Sequence, residues 1–162
     1  MVEEAECRWI EGWFESTVRV RYPEVDPQGV VHHAVYLHYF EHGRTEMLRA
    51  LGIPYSLLEK EGTRLMVVES HLLHRSSAGY DEVLRVRTRA SRLSRVRIYL
   101  DYRLFREKAE ELICEGSTLM VAVDSAGKPK KLPAVLAEKL GRSEVGSRKS
   151  EVESSSRPPA SC

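Results

Sequence analysis

The 162-residue chain sets 25 lysines and arginines against 24 acidic residues, a formal net charge of +1, so bulk charge makes no case for nucleic acid or an acidic membrane surface. Hydrophobic residues at 42% and charged residues at 30% are those of an ordinary folded domain, and the length predicts one domain with a sizeable core. Cys7, Cys114 and Cys162 are odd in number and lack CxxC spacing, which points away from a disulfide framework and from a zinc ribbon. No apolar run approaches the ~20 residues of a membrane span, and the acids among residues 1–15 do not suit a secretion signal. A cytoplasmic, reducing setting is the expectation.

Residues 1–12 read as a loose lead-in. From Trp13 to Arg21 the pattern alternates as a strand, with Phe14, Ser16, Val18 and Val20 on one side and Glu15, Thr17, Arg19 and Arg21 on the other. The loop around Asp26 follows, and then a helix from about Ala34 to Leu51. Tyr36, Phe40, Gly43, Met47 and Leu51 step by three and four along one helical face. Gly43 costs about 1 kcal/mol there relative to alanine, which predicts that another backbone passes close to it. Gly52 and Pro54 end the helix.

Residues 55–63 read as a short helical turn, and the character then changes to strands over Arg64–His74, Asp81–Ala90, Arg95–Arg106 and Glu111–Asp124. Gly116 in the last of these predicts a bend or bulge. The links between the four are short, which predicts an antiparallel meander. Arg85, Arg87, Arg89, Arg95, Arg97 and Arg103 fall on outward strand positions and read as a solvated face. Pro133–Leu140 reads as a short closing helix. Residues 1–140 are thus a single domain, and 141–162, rich in Ser, Glu, Arg and Pro, a disordered tail.

The predicted class is α+β: an antiparallel five-stranded sheet that buries one apolar-faced helix by wrapping around it. Such a sheet keeps an open edge, which predicts a homodimer or homotetramer.

The chemistry concentrates in Tyr22-Pro23-Glu24-Val25-Asp26-Pro27-Gln28-Gly29-Val30-Val31-His32-His33-Ala34-Val35-Tyr36. Asp26 precedes a proline, which excludes it from the helical region, and Pro27 and Gly29 suit the second and fourth positions of a type I turn. The carboxylate therefore sits on a fixed loop before a helix start, whose free N–H groups favour anions and oxyanions. A carboxylate beside such donors is the beginning of an acyl-transfer site. Asp26 taken alone is equally a common turn-former, and His33 alone a helix-start residue.

The spacing Tyr22-x-x-x-Asp26-x-x-Gly29-Val30-Val31-x-His33-x-x-Tyr36, followed by Glu41-x-x-Arg44-x-Glu46-Met47-Leu48, resembles the hotdog-fold acyl-CoA thioesterases. Within them it is similar to the 4-hydroxybenzoyl-CoA thioesterase group and to the acyl-CoA thioesterases associated with the Tol–Pal system. The resemblance covers roughly residues 13–140 and is most specific over 22–48. It implies a hotdog fold, a dimer or doubled dimer, no cofactor, and hydrolysis of an acyl-CoA to acid and CoA. The catalytic aspartate of the family falls on Asp26, the tyrosine and histidine of the closer subgroup on Tyr22 and His33, and the backbone oxyanion donor on His33 or its neighbour. Where many relatives have an aromatic-Pro-Ala run, this chain has His74-Arg75-Ser76-Ser77-Ala78-Gly79, which leaves the acyl group open.

A thioester carbonyl needs an oxygen nucleophile and a site for the developing oxyanion. Asp26 either attacks directly, giving a mixed anhydride, or acts as general base on water. His32 reads as a solvated neighbour. His38 and His42 lie four apart, but the glutamate is misplaced for a zinc-protease helix and no third ligand follows, so no metal is expected. Glu41 and Arg44 read as an exposed ion pair. One or two of the outward arginines suit the phosphates of CoA. Two alternatives remain: a hotdog hydroxyacyl-thioester dehydratase, whose histidine lies in the loop and acid on the helix, and a non-catalytic acyl-CoA or acyl-carrier binding module.

Overall fold

The computed structural model describes residues 7–141; residues 1–6 and the expected tail over 142–162 lie outside the described residues. Six strands form one antiparallel sheet: β1 (Arg8–Ile10), β2 (Trp13–Arg19), β3 (Arg64–His74), β4 (Val83–Leu93), β5 (Arg97–Arg106) and β6 (Leu112–Val123). Their order across the sheet is β1-β2-β4-β5-β6-β3. A 3-10 turn (Tyr22–Glu24), helix α1 (Val35–Ala50) and helix α2 (Tyr55–Lys60) lie between β2 and β3, and residues 134–141 are helical.

The sheet has six strands rather than the expected five because β1 folds back on β2. Glu11 and Gly12 both have positive φ, 49° and 80°, the two-residue turn that matches the twist of a hairpin. The Trp9 ring meets Phe14 edge-on at 5.3 Å.

The expected four-strand meander is also corrected. β4, β5 and β6 follow one another, but β3 lies beyond β6 at the edge. Residues 75–82 therefore run from the β3 edge back to the interior strand β4, passing two strands at ~4.8 Å spacing, well within the reach of eight residues.

α1 buries Tyr36, Phe40, Gly43 and Met47 of the expected stripe and adds Tyr39, Arg44 and Leu48, while Leu51, at the C-cap, is half-buried. It packs against β2 and β4. Its end is closed by Gly52 at φ 74° and by the Ile53 N–H donating to Leu48 O at 2.9 Å, a Schellman pattern. What meets Gly43 is not backbone but side chains: a Cβ would lie 2.5 Å from Thr88 Oγ1 and 2.7 Å from Val86 Cγ1. Gly116 is not a bulge either, since it keeps its register opposite Leu72 and Tyr102. A Cβ on it would run into the His71 carbonyl oxygen and lie 2.9 Å from Phe40 Cε2.

The outward arginines are not simply solvated. Glu15, on the polar side of the β2 alternation, is 2% exposed and takes bonds from Arg8 (2.7 Å) and Arg87 (2.6 Å), with Arg85 at 3.5 Å. Burial alone pushes the Glu15 carboxyl up, but Arg87, Arg8 and Arg85 together hold it below the usual carboxylate range. Arg89 pairs with Asp101 at 3.2 Å and stacks over Trp13. Arg44, expected on the surface, is 9% exposed: it reaches Glu41 at 3.5 Å but turns inward to the hydroxyls of Tyr55 and Tyr102.

Candidate active site at the Asp26 turn

Pro27 and Gly29 shape the turn as the sequence predicts. The Gly29 N–H donates to Asp26 O at 2.9 Å, Gly29 has φ 82°, and the Asp26 N–H donates to Val30 O at 2.9 Å. A type I turn followed by a left-handed glycine closes this small hairpin, and Val25 bridges Val31 across its base. Asp26 Oδ1 accepts the Gln28 N–H at 2.8 Å. Among the described residues nothing donates to its other carboxylate oxygen.

The turn is gripped from below by Glu24, a residue that the sequence reading passed over. Glu24 is 7% exposed and accepts from the Arg21 N–H (2.8 Å), the Arg21 guanidinium (2.6 Å) and the Tyr39 hydroxyl (2.8 Å). Its own carbonyl accepts the His32 N–H at 2.9 Å. Burial pushes the Glu24 carboxyl up, yet these donors outweigh it and hold the group below its usual range. Burial and the neighbouring carboxylate push the Tyr39 hydroxyl well up. One side chain thus ties the approach to the turn to α1. The available signal was Arg21 three positions ahead of Glu24, the spacing of a capping box.

We expect Glu24→Gln to cost about 1–3 kcal/mol at pH 7, where a buried charge-assisted network is broken. The folded carboxyl titrates below its unfolded value of about 4.3, so the charge stabilises the fold above that value and ceases to do so as pH falls through the folded value. Urea unfolding at pH 7 and pH 3 should show the difference between wild type and variant shrinking in acid. A difference that stays constant would show that the charge plays no part.

The helix start shows which amide is open. The His32 carbonyl takes the Val35 N–H at 2.9 Å and His32 Nδ1 takes the Ala34 N–H at 3.3 Å. Among the described residues nothing accepts the His33 N–H. The His33 ring is exposed and lies 4.1 Å from that of His32. Tyr22 is 78% exposed and meets Tyr80 edge-on at 5.6 Å. One pinned loop therefore carries Tyr22, Asp26 and His33, but no hydrogen bond joins their side chains among the described residues.

The crossover forms the other wall. The Val31 N–H donates to Ala78 O at 2.8 Å, and Gly79 packs against the Gly29 carbonyl. Tyr36, at the helix start, stacks edge-on with His74 at 4.8 Å. No group of three metal-ligating side chains is gathered among the described residues, and no helix there is long and apolar enough to cross a membrane.

Residues 20–140 match the model of the thioesterase-like superfamily. The chain is 35% identical over 122 residues to the acyl-CoA thioesterase YbgC of Haemophilus influenzae, covering 75% of this chain and 88% of that one. It is 32% identical over 126 residues to an acyl-acyl carrier protein thioesterase of Arabidopsis thaliana, covering 78% of this chain and 66% of the plant protein. Among solved structures, a hypothetical protein from Thermus thermophilus superposes with a TM-score of 0.74 at 35% identity, over 79% of this chain and 97% of that one. With its six-stranded antiparallel sheet packed on one long helix, the chain belongs to the thioesterase-like superfamily as a hotdog-fold thioester hydrolase.

Proposed function

We propose that the chain hydrolyses acyl-CoA thioesters at Asp26. The observation that carries this reading is the juxtaposition of an anchored carboxylate with an unclaimed His33 N–H at an uncapped helix start. The thioester carbonyl oxygen would accept that N–H, which strengthens as negative charge develops on it. Asp26 then either adds to the carbonyl carbon, expelling CoA thiolate and leaving a mixed anhydride for water to open, or takes a proton from the attacking water. His33 and Tyr22 serve to orient the water or the carboxylate. The test is release of free thiol from short, long and aromatic acyl-CoAs by the purified protein. Absence of thiol release across that panel overturns the reading in favour of a binding module.

The working unit in this reading is a homodimer joined through β3. This strand has β6 on one side only, and Met66, Val68 and Leu73 on it are 51%, 58% and 55% exposed. An open edge of eleven residues that exposes these apolar side chains is a template for pairing with its own copy. Such pairing would also bring a distant charge cluster into use. Arg92, Arg95 and Arg97, at the β4–β5 hairpin, are exposed and have no carboxylate partner among the described residues, and Arg92 and Arg97 both donate to the Tyr99 hydroxyl. They lie one strand length, about 33 Å, from the Asp26 turn of the same chain. An antiparallel two-fold through β3 sets them at the same end of the joined sheet as the Asp26 turn of the partner, and their guanidinium forks suit CoA phosphates. Val68→Lys should shift the sedimenting species from dimer to monomer and raise KM for acyl-CoA. A monomeric variant with unchanged KM would exclude use of these arginines across the interface. The free thiols of Cys7 and Cys114 suit a reducing cytoplasm.

A further inference from the structure

Tyr22 and Tyr80 are among the most exposed large side chains described, at 78% and 59%, yet neither is loosely held. Tyr22 opens the 3-10 turn clamped by Glu24. Tyr80 belongs to the crossover, which is pinned at several points. Arg106 donates to Ser77 O at 2.9 Å and pairs with Glu82 and, at 2.9 Å, with Glu111. Glu82 Oε1 accepts the Gly79 N–H at 2.9 Å. The Asp81 N–H donates to Val20 O at 3.0 Å, and the Val20 N–H to Glu82 O at 2.9 Å. Asp81 itself sits at φ 66°, a left-handed conformation that a non-glycine residue adopts at a cost. Two independently anchored segments therefore hold two phenol rings together at 86°, out in solvent, beside the Asp26 turn that Gly79 touches.

An edge-to-face pair satisfies one edge and one face and leaves a ring face open. Exposed aromatic surface fixed in place next to a reactive carboxylate suits a flat partner. We propose that Tyr22 and Tyr80 form a stacking rim that recognises a planar π-system carried by the thioester substrate. Tyr80 is then a specificity-determining residue with no part in the chemical step. The planar group comes from one of two sources, an aromatic acyl group or the adenine of CoA. This inference rests on the assignment of hydrolysis to Asp26.

The experiment compares wild type, Tyr80→Leu and Tyr80→Phe on four substrates: an aromatic and a straight-chain acyl group, each as the CoA thioester and as the pantetheine thioester. Leucine keeps apolar bulk and loses the ring, whereas phenylalanine keeps the ring. Tyr80→Leu should raise KM roughly 3- to 10-fold wherever the stacked ring is present, with kcat unchanged and Tyr80→Phe close to wild type. A rise with both aromatic acyl thioesters, pantetheine included, identifies the acyl ring; a rise with both CoA thioesters only identifies adenine. Equal losses on all four substrates, or no loss on any, overturn the rim. Asp26→Asn runs alongside: if it keeps full activity, the site assignment fails, and a selective Tyr80 effect would still report on the rim by itself.

Discussion

Asp26→Asn is expected to lower kcat/KM for acyl-CoA by roughly 10²–10⁴, the range associated with a positioned acid–base group, while leaving the fold intact. Asparagine keeps the shape of the side chain and the oxygen that accepts the Gln28 N–H, so the turn and its Gly29 closure have no reason to open. What disappears is the negative charge, and with it both the nucleophile and the base. Thiol release measures the loss, and circular dichroism with thermal unfolding checks that the variant is folded. A folded variant with near-wild-type turnover would remove Asp26 from the chemistry altogether.

The largest stability effect should come from a single methyl group at position 116. Gly116→Ala places a Cβ against the His71 carbonyl oxygen of the neighbouring strand and 2.9 Å from the ring of Phe40. Neither neighbour can yield cheaply. The carbonyl belongs to the β3–β6 ladder, and Phe40 is fully buried, stacked on Tyr102 at 4.4 Å. Overpacking of this kind costs about 1–3 kcal/mol and occasionally more; with backbone on one side we expect about 3 kcal/mol, a fall in Tm of roughly 5–10 °C. Gly127→Ala is the control. Open space surrounds that position and only its φ of 78° is at stake, so about 1 kcal/mol should be lost. Equal costs at the two sites would mean that the close approach at Gly116 is not limiting.

The helix was legible because Tyr36, Phe40, Gly43 and Met47 repeat at its period, and β3 because an eleven-residue stretch carrying Leu65, Met66, Val67, Val68, Leu72 and Leu73 lies between two loops. The position of β3 in the sheet was not legible. Alternation reports which way side chains face and says nothing of which strand lies alongside. The burial of Glu15 was not legible for a related reason: its partners are fixed by the register Glu15↔Arg87 and by Arg8 on a three-residue strand too short to leave a pattern. At the site, Asp26 and the shape of its turn could be read from Pro27 and Gly29. The clamp could not, because the partner of Glu24 on α1, Tyr39, lies fifteen positions away and looks like one more core aromatic. At His33 both the ring and the backbone amide were candidates in the sequence, and the amide has no acceptor among the described residues.

The crossover makes catalytic competence a late and stringent property of the chain. β4, β5 and β6 join through short hairpins whose contacts are local, so that meander can pair without waiting for distant segments. Residues 75–82, held against Val31 and Val20, follow directly on β3, whose closure on β6 brings Arg64 to Val123, so we expect them to settle only with that long-range pairing. The same eight residues thus link an edge strand with the wall of the Asp26 turn. A chain with most of its sheet formed would still lack a site, so turnover reports complete folding where spectroscopic signals from the sheet do not.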